Sequence, residues 1–125
     1  MNVKGKLLTF VEVPVFVKRI EEFGGLDLLT AIEDELIENP ERGALIKGTN
    51  GARKARIADP RKRGGKSGGL RYIYTYFVAY DRIYLLYLYG KGEQSELTAT
   101  QKKQLGEVIK EAKEMLRNKH KIKGD

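Results

Sequence analysis

Lys6 to Glu12, a short run of apolar residues with Thr9 among them and a charged residue at each end, reads as one strand, and Pro14 then opens a helix, because proline's fixed φ suits the first helical turn. Phe16, Val17 and Ile20 give that helix an apolar stripe, which Gly24-Gly25 ends. A second helix follows, capped by Asp27, with Leu28, Leu29, Ile32, Leu36 and Ile37 at helical spacing and Asn39-Pro40 as its stop. Glu33, Asp34, Glu35 and Glu38 fall on its outer side and read as a solvated acidic face. The period then shortens to that of a strand. Arg53-Lys54-Ala55-Arg56-Ile57 alternates and stops at Asp59-Pro60, the loop Pro60 to Gly68 follows, and a longer strand spans about Gly69 to Val78. Ala79-Tyr80-Asp81-Arg82 reads as a turn into the strand Ile83 to Tyr89, whose two apolar or aromatic faces predict an inner position in an antiparallel hairpin. Thr98-Ala99-Thr100-Gln101 is a capping box opening a last helix to about Leu116, with Leu105, Val108, Ile109, Ala112, Met115 and Leu116 on one face. This order predicts one α+β domain over residues 1–117, an antiparallel sheet flanked by two N-terminal helices and one C-terminal helix, with a basic, flexible tail at 118–125.

Composition narrows the chemistry. The chain has no cysteine, which removes disulfides, thiolate metal sites and a cysteine nucleophile. Its one histidine, His120, lies in the basic tail and reads as a solvated residue, so catalysis falls to Lys, Arg, Tyr or carboxylates, and no cofactor is expected. No apolar run approaches the ~20 residues of a membrane span and the start does not resemble a signal peptide, so a cytoplasmic location away from membranes is expected.

Charge is distributed unevenly. Between Arg53 and Arg71 lie Arg53, Lys54, Arg56, Arg61, Lys62, Arg63, Lys66 and Arg71 against the single acid Asp59. Removing these from the chain's 24 Lys and Arg and 17 Asp and Glu leaves 16 of each, so the net charge of +7 belongs to this segment. A local excess of this kind predicts a polyanionic partner. Side chains two apart on a strand share a face, so Lys54 and Arg56 point one way and Arg53 the other. With the next strand paired alongside, Arg71 joins Lys54 and Arg56 at one end of the sheet, and Lys91 leaves the following strand as a possible fourth cation. Such a cluster is most simply completed by a phosphate. Arg61, Lys62, Arg63 and Lys66 ride the glycine-flanked loop and read as an electrostatic grip, with Lys62 and Arg63 individually also suiting plain surface charges. Most of Tyr72, Tyr74 and Tyr76, on one strand face, read as packing residues. Gly64-Gly65-Lys66-Ser67 lacks the first glycine and the strand-to-helix setting of a nucleotide-binding loop, which excludes that reading.

The run Pro40 to Arg56, the run Gly64 to Tyr74 and the run Tyr84 to Glu93, taken together, resemble the RelE/HigB type of toxin from bacterial type II toxin–antitoxin pairs, in particular the HigB-like branch with a glycine-rich insertion. The likeness covers roughly residues 36 to 110. It implies a small α+β fold and ribosome-dependent, metal-independent cleavage of messenger RNA. It also implies silencing by a cognate antitoxin of helix-turn-helix type, with operator DNA reached only through that antitoxin. Carried over residue by residue, it implies that Lys54, Arg56, Arg71 and Lys91 form the catalytic set, Lys54 moving a proton and the arginines stabilising charge. Arg53, Arg61, Lys62, Arg63, Lys66, Tyr72 and Tyr89 would then bind RNA. Where better-known members have an arginine after Gly-Lys and a later tyrosine, this chain has Gly92 and Thr98, which leaves Tyr89, Tyr72 or Lys66 to stack on a base and supply an acid. Two other readings share the residues: an RNA-binding or ribosome-binding module without catalysis, and a gyrase inhibitor of the ParE type on the same scaffold.

Overall fold

The structure, a computed structural model, describes residues 7–62 and 69–124. Its elements run β1 (Thr9–Glu12), α1 (Pro14–Phe23), α2 (Gly25–Glu38), β2 (Ala44–Leu45), β3 (Arg53–Ile57), β4 (Leu70–Phe77), a 3-10 turn (Val78–Tyr80), β5 (Arg82–Gly90) and α3 (Ala99–Gly124). The strands form one sheet in the order β1-β5-β4-β3-β2, antiparallel except for the parallel pair β1 and β5. The protein is an α+β fold with helices on both faces of that sheet.

Alternation along the strands sorts the two cores. Phe16, Ile20, Ile32 and Leu36 of α1 and α2 pack with Ala55, Ile57, Tyr72, Tyr74, Leu85 and Leu88 on one sheet face. Ile109, Ala112 and Leu116 of α3 pack with Ile73, Phe77, Leu86 and Tyr89 on the other. The phase of β5 changes midway. Ile73 pairs with Tyr87 and Tyr74 with Leu85, so Leu86 is an extra residue, and this bulge puts both Leu86 and Tyr89 on the α3 side. Without it, strict alternation would send Tyr89 to the opposite core.

Several boundaries differ from the pattern in the sequence. β1 begins at Thr9, and it pairs in parallel with β5 because the two helices that follow carry the chain back across the sheet. The helix pair divides at Gly24, and α2 begins at Gly25, so Asp27 falls in the first turn rather than at the cap. Ala44 and Leu45 add a two-residue edge strand, too short to show a period. Val108 and Met115 are 41% and 67% exposed, outside the buried stripe of α3. The helix itself runs through Gly124, past the expected end near Leu116. His120 is therefore helical and still exposed: its Nδ1 lies 2.9 Å from the Leu116 carbonyl oxygen and its ring centroid 4.5 Å from that of Tyr80.

The start of α3 matches its capping box. Thr98 Oγ1 accepts from the Gln101 amide at 3.0 Å while Gln101 Oε1 accepts from the Thr98 amide at 2.9 Å, satisfying two donors that the first helical turn leaves open.

Candidate functional site

β3 and β4 pair so that Arg56 lies directly opposite Arg71, and β5 places Tyr89 opposite Arg71 in turn. Directly opposed residues sit about 4.5–5.5 Å apart at Cα. Ala55 and Ile57 face the α1/α2 core while Ile73 and Tyr89 face α3, so Lys54, Arg56 and Arg71 share the α3 face of the sheet. Lys54 is one cross-strand row further in, opposite Ile73. Beyond the end of β5 the Lys91 amide donates to the Gly69 carbonyl at 3.1 Å, holding exposed Lys91 at the same end as Arg71. The result is a row of two arginines, a lysine set behind it and another at its mouth. None of the four lines the apolar groove described below.

Other cations in the basic segment are tied into the fold. Arg53 donates through one nitrogen to the Glu41 carbonyl at 3.0 Å and the Gly43 carbonyl at 2.7 Å, clamping the loop after α2. Arg61 makes two side-chain hydrogen bonds to Asp59, at 3.1 and 2.9 Å, and its guanidinium lies 4.3 Å from the Phe23 ring centroid. Asp59 is only 2% exposed, and the Arg61 hydrogen bonds hold its carboxyl below the usual carboxylate range. Lys62 stays exposed, whereas Arg63 and Lys66 lie outside the described residues. Of the cations expected to bind RNA, Arg53 and Arg61 thus have structural partners.

The tyrosines are also more internal than an RNA-stacking role requires. Tyr72 is fully buried against α2 and donates its hydroxyl to Glu35 Oε1 at 2.7 Å, so it has no ring face to offer a base. Burial and the Glu35 carboxylate push its hydroxyl pKa far up. Tyr89 is likewise fully buried, and its ring cannot stack on a base in this arrangement. Its hydroxyl, however, has no hydrogen-bond partner among the described residues, and burial keeps it protonated more firmly than usual, with Arg71 acting in the opposite sense. A partnerless hydroxyl beside an arginine row is unusual in a packed core.

Two residues that spacing does not mark hold the site's mouth. Arg19, on α1, donates Nε to the Leu88 carbonyl at 2.8 Å, covering a stretch of β5 beyond the last β1 pairing. It also pairs with Glu93, whose Oε1 accepts the Gly90 amide at 2.8 Å, and its guanidinium lies 5.1 Å from the Phe23 ring. Phe23 therefore meets Arg19 of its own helix, which Glu93 in the turn after β5 holds, and Arg61 from the loop after β3. Only the fold brings these together, since Arg19 and Glu93 are 74 residues apart.

At the two positions where better-known toxins differ, Thr98 is occupied by the helix cap, and a Cβ built at Gly92 meets no atom within 4 Å. Among the described residues no group of three or more His, Cys, Asp or Glu could hold a metal ion, and no helix is long and apolar enough to cross a membrane. No family model matches the chain. Among solved structures the chain is similar to the Escherichia coli toxin RelE, in a variant with two arginine-to-alanine substitutions in the free state, at a TM-score of 0.52 and 14% identity over 72% of this chain and 90% of that one. The fold is thus RelE-like.

Proposed function

We propose that this protein is the toxin of a type II toxin–antitoxin pair, a cytoplasmic endoribonuclease that cuts messenger RNA on the ribosome. The observation that carries the reading is the cross-strand pair Arg56 and Arg71 with Lys54 on the same face, set on a RelE-like sheet. Two arginines opposed on neighbouring strands repel each other, and an anion between them removes that repulsion.

In the proposed reaction an RNA 2′-hydroxyl attacks the adjacent phosphorus, the 5′-oxygen leaves, and a cyclic phosphate remains. Arg56 and Arg71 stay protonated at physiological pH and stabilise the charge that builds on the phosphoryl oxygens. Lys54, a side-chain type that loses its proton more readily than arginine, acts as the neutral amine that takes the proton of the attacking hydroxyl, and the departing 5′-oxygen takes a proton from solvent. Lys91, exposed at the mouth, neutralises the neighbouring phosphate. The cations supply the electrostatic stabilisation that a metal ion supplies elsewhere. A cognate antitoxin silences the toxin in this reading, and operator DNA is reached through that antitoxin.

The test is a translating extract supplied with purified protein. Translated messages are cut, and Arg71→Ala lowers the cleavage rate by about 100-fold or more, the usual scale for removing one charge-stabilising donor, while its thermal midpoint stays at the wild-type value. Intact messages with the wild-type protein would overturn the enzyme reading in favour of the non-catalytic binding module. Equal cleavage of naked RNA would remove the ribosome from it.

A further inference from the structure

We infer that one flank of α3 is a second cationic surface, built to lie along the phosphates of base-paired RNA. The inference rests on the reading of this protein as acting on ribosome-bound RNA and gives that reading a docking surface outside the Arg56–Arg71 row. Lys103, Gly106, Lys110, Lys113 and Arg117 follow one another at steps of three and four residues and so form one stripe of the helix. All four cations are exposed. Gly106 fixes where the stripe faces: its carbonyl accepts Asn50 Nδ2 at 2.9 Å and it packs against the backbone of Gly48 and Thr49, turning that flank toward the loop that leads into β3 and Lys54. The other end of the helix rests by His120 on Tyr80, so the stripe leads from the β3 side toward the turn between β4 and β5.

Three properties select the partner. First, no acid interrupts the stripe, and Glu107, Glu111 and Glu114 occupy the adjoining row; even so, none of the four cations forms an ion pair with another described residue. Second, the stripe has no apolar side chain, whereas protein partners are held by an apolar centre. Apolar surface lies on the opposite flank of α3, where Val13, Val15, Tyr87, Leu105 and Val108 line a groove of about 680 Å³. Third, no aromatic ring stands on the stripe to stack with splayed bases, as single-stranded RNA requires. What remains is a straight row of cations about 21 Å long at 1.5 Å per residue, suited to a stiff duplex backbone.

Binding of a 20-base-pair RNA duplex, followed by fluorescence anisotropy from low to moderate salt, tests this without requiring cleavage. In K103Q/K110Q/R117Q the duplex binds roughly 10-fold or more weakly, and the slope of log K against log salt falls by about 3, one for each phosphate that the variant leaves without a cation. Lys18→Gln, on exposed α1, changes the slope by less than one. Far-UV circular dichroism and the thermal midpoint confirm that the triple variant is folded, and Lys110→Gln alone repeats the measurement with the least perturbation. An unchanged affinity and slope in the triple variant would overturn the inference, as would a Lys18 effect equal per charge to that of the stripe. Loss of an acidic protein's binding with duplex binding intact would overturn it in favour of a protein surface. If the stripe governs duplex binding while the wild-type protein leaves translated messages whole, the inference stands and the nuclease reading fails.

Discussion

Tyr72 and Tyr89 differ by one hydrogen bond, and that difference separates a structural hydroxyl from an uncommitted one. The Tyr72 hydroxyl bonds a carboxylate at 2.7 Å inside the core, whereas the Tyr89 hydroxyl is buried without a partner among the described residues. A buried hydrogen bond to a charged group contributes about 1.5–3 kcal/mol, and a buried hydroxyl without one is a penalty. Tyr72→Phe is therefore expected to lower stability by about 1.5–3 kcal/mol in urea titration. It leaves Glu35 paired with Arg42 and leaves cleavage per folded molecule unchanged. Tyr89→Phe removes only the penalty, so its denaturation midpoint is expected to equal or exceed that of the wild type. A clear loss of stability in Tyr89→Phe would mean that the hydroxyl has a partner after all. A stable variant with reduced cleavage would make the hydroxyl part of the chemistry.

At the scale of elements, short-range chemistry was readable and long-range placement was not. Thr98 and Gln101 mark the start of α3 because a cap joins residues three apart, and Gly24 marks the break between α1 and α2 for a similar reason. The strands carrying Arg56 and Arg71 are legible as strands, while the pairing that sets the two arginines opposite each other is a long-range contact. The parallel pairing of β1, the two-residue β2 and the bulge at Leu86 depend on partners far along the chain, and the bulge overrides the alternation that would otherwise assign Tyr89's face. The paired states of Arg53 and Arg61 were equally hidden, since a sequence shows their charge but not the carbonyls and carboxylate that engage it. The cap itself makes a testable contribution. Thr98→Ala is expected to destabilise the protein by about 1 kcal/mol, seen as a lower urea midpoint with unchanged m-value, and Thr98→Asn is expected to restore most of it. An unchanged midpoint in Thr98→Ala would show that the packing of α3 on the sheet, not the cap, sets its first turn.

Over the whole molecule, the loops on either side of the arginine row are tied to the same place, the C-terminal end of α1. Asp59 holds Arg61 on one side of Phe23 and Glu93 holds Arg19 on another. Hydrogen bonds from those arginines keep both carboxyls below their ordinary values of 3.8 and 4.5. A carboxyl whose folded pKa is depressed stabilises the fold fully above its unfolded value, and the stabilisation is lost as pH falls from there through the folded value. Glu33 acts in the other sense, because burial and the nearby Glu12 and Asp34 raise its pKa, so its protonation favours the folded state as the medium turns acid. Two depressed groups against one raised group predict a net loss of stability below about pH 4 to 5. The thermal midpoint of the wild type is thus expected to fall as pH is lowered from about 5 to about 3. In D59N/E93Q the midpoint is expected to be lower at about pH 7 and to fall less steeply over the same acid interval, because the groups that lose their charge are gone. Both arginines remain in that variant, so it also isolates the tether from the cations: weakened cleavage at neutral pH with intact folding would show that the tied loops position the mouth of the site. Parallel pH profiles for the two proteins would instead place the acid sensitivity on other carboxylates and remove these two tethers from the account.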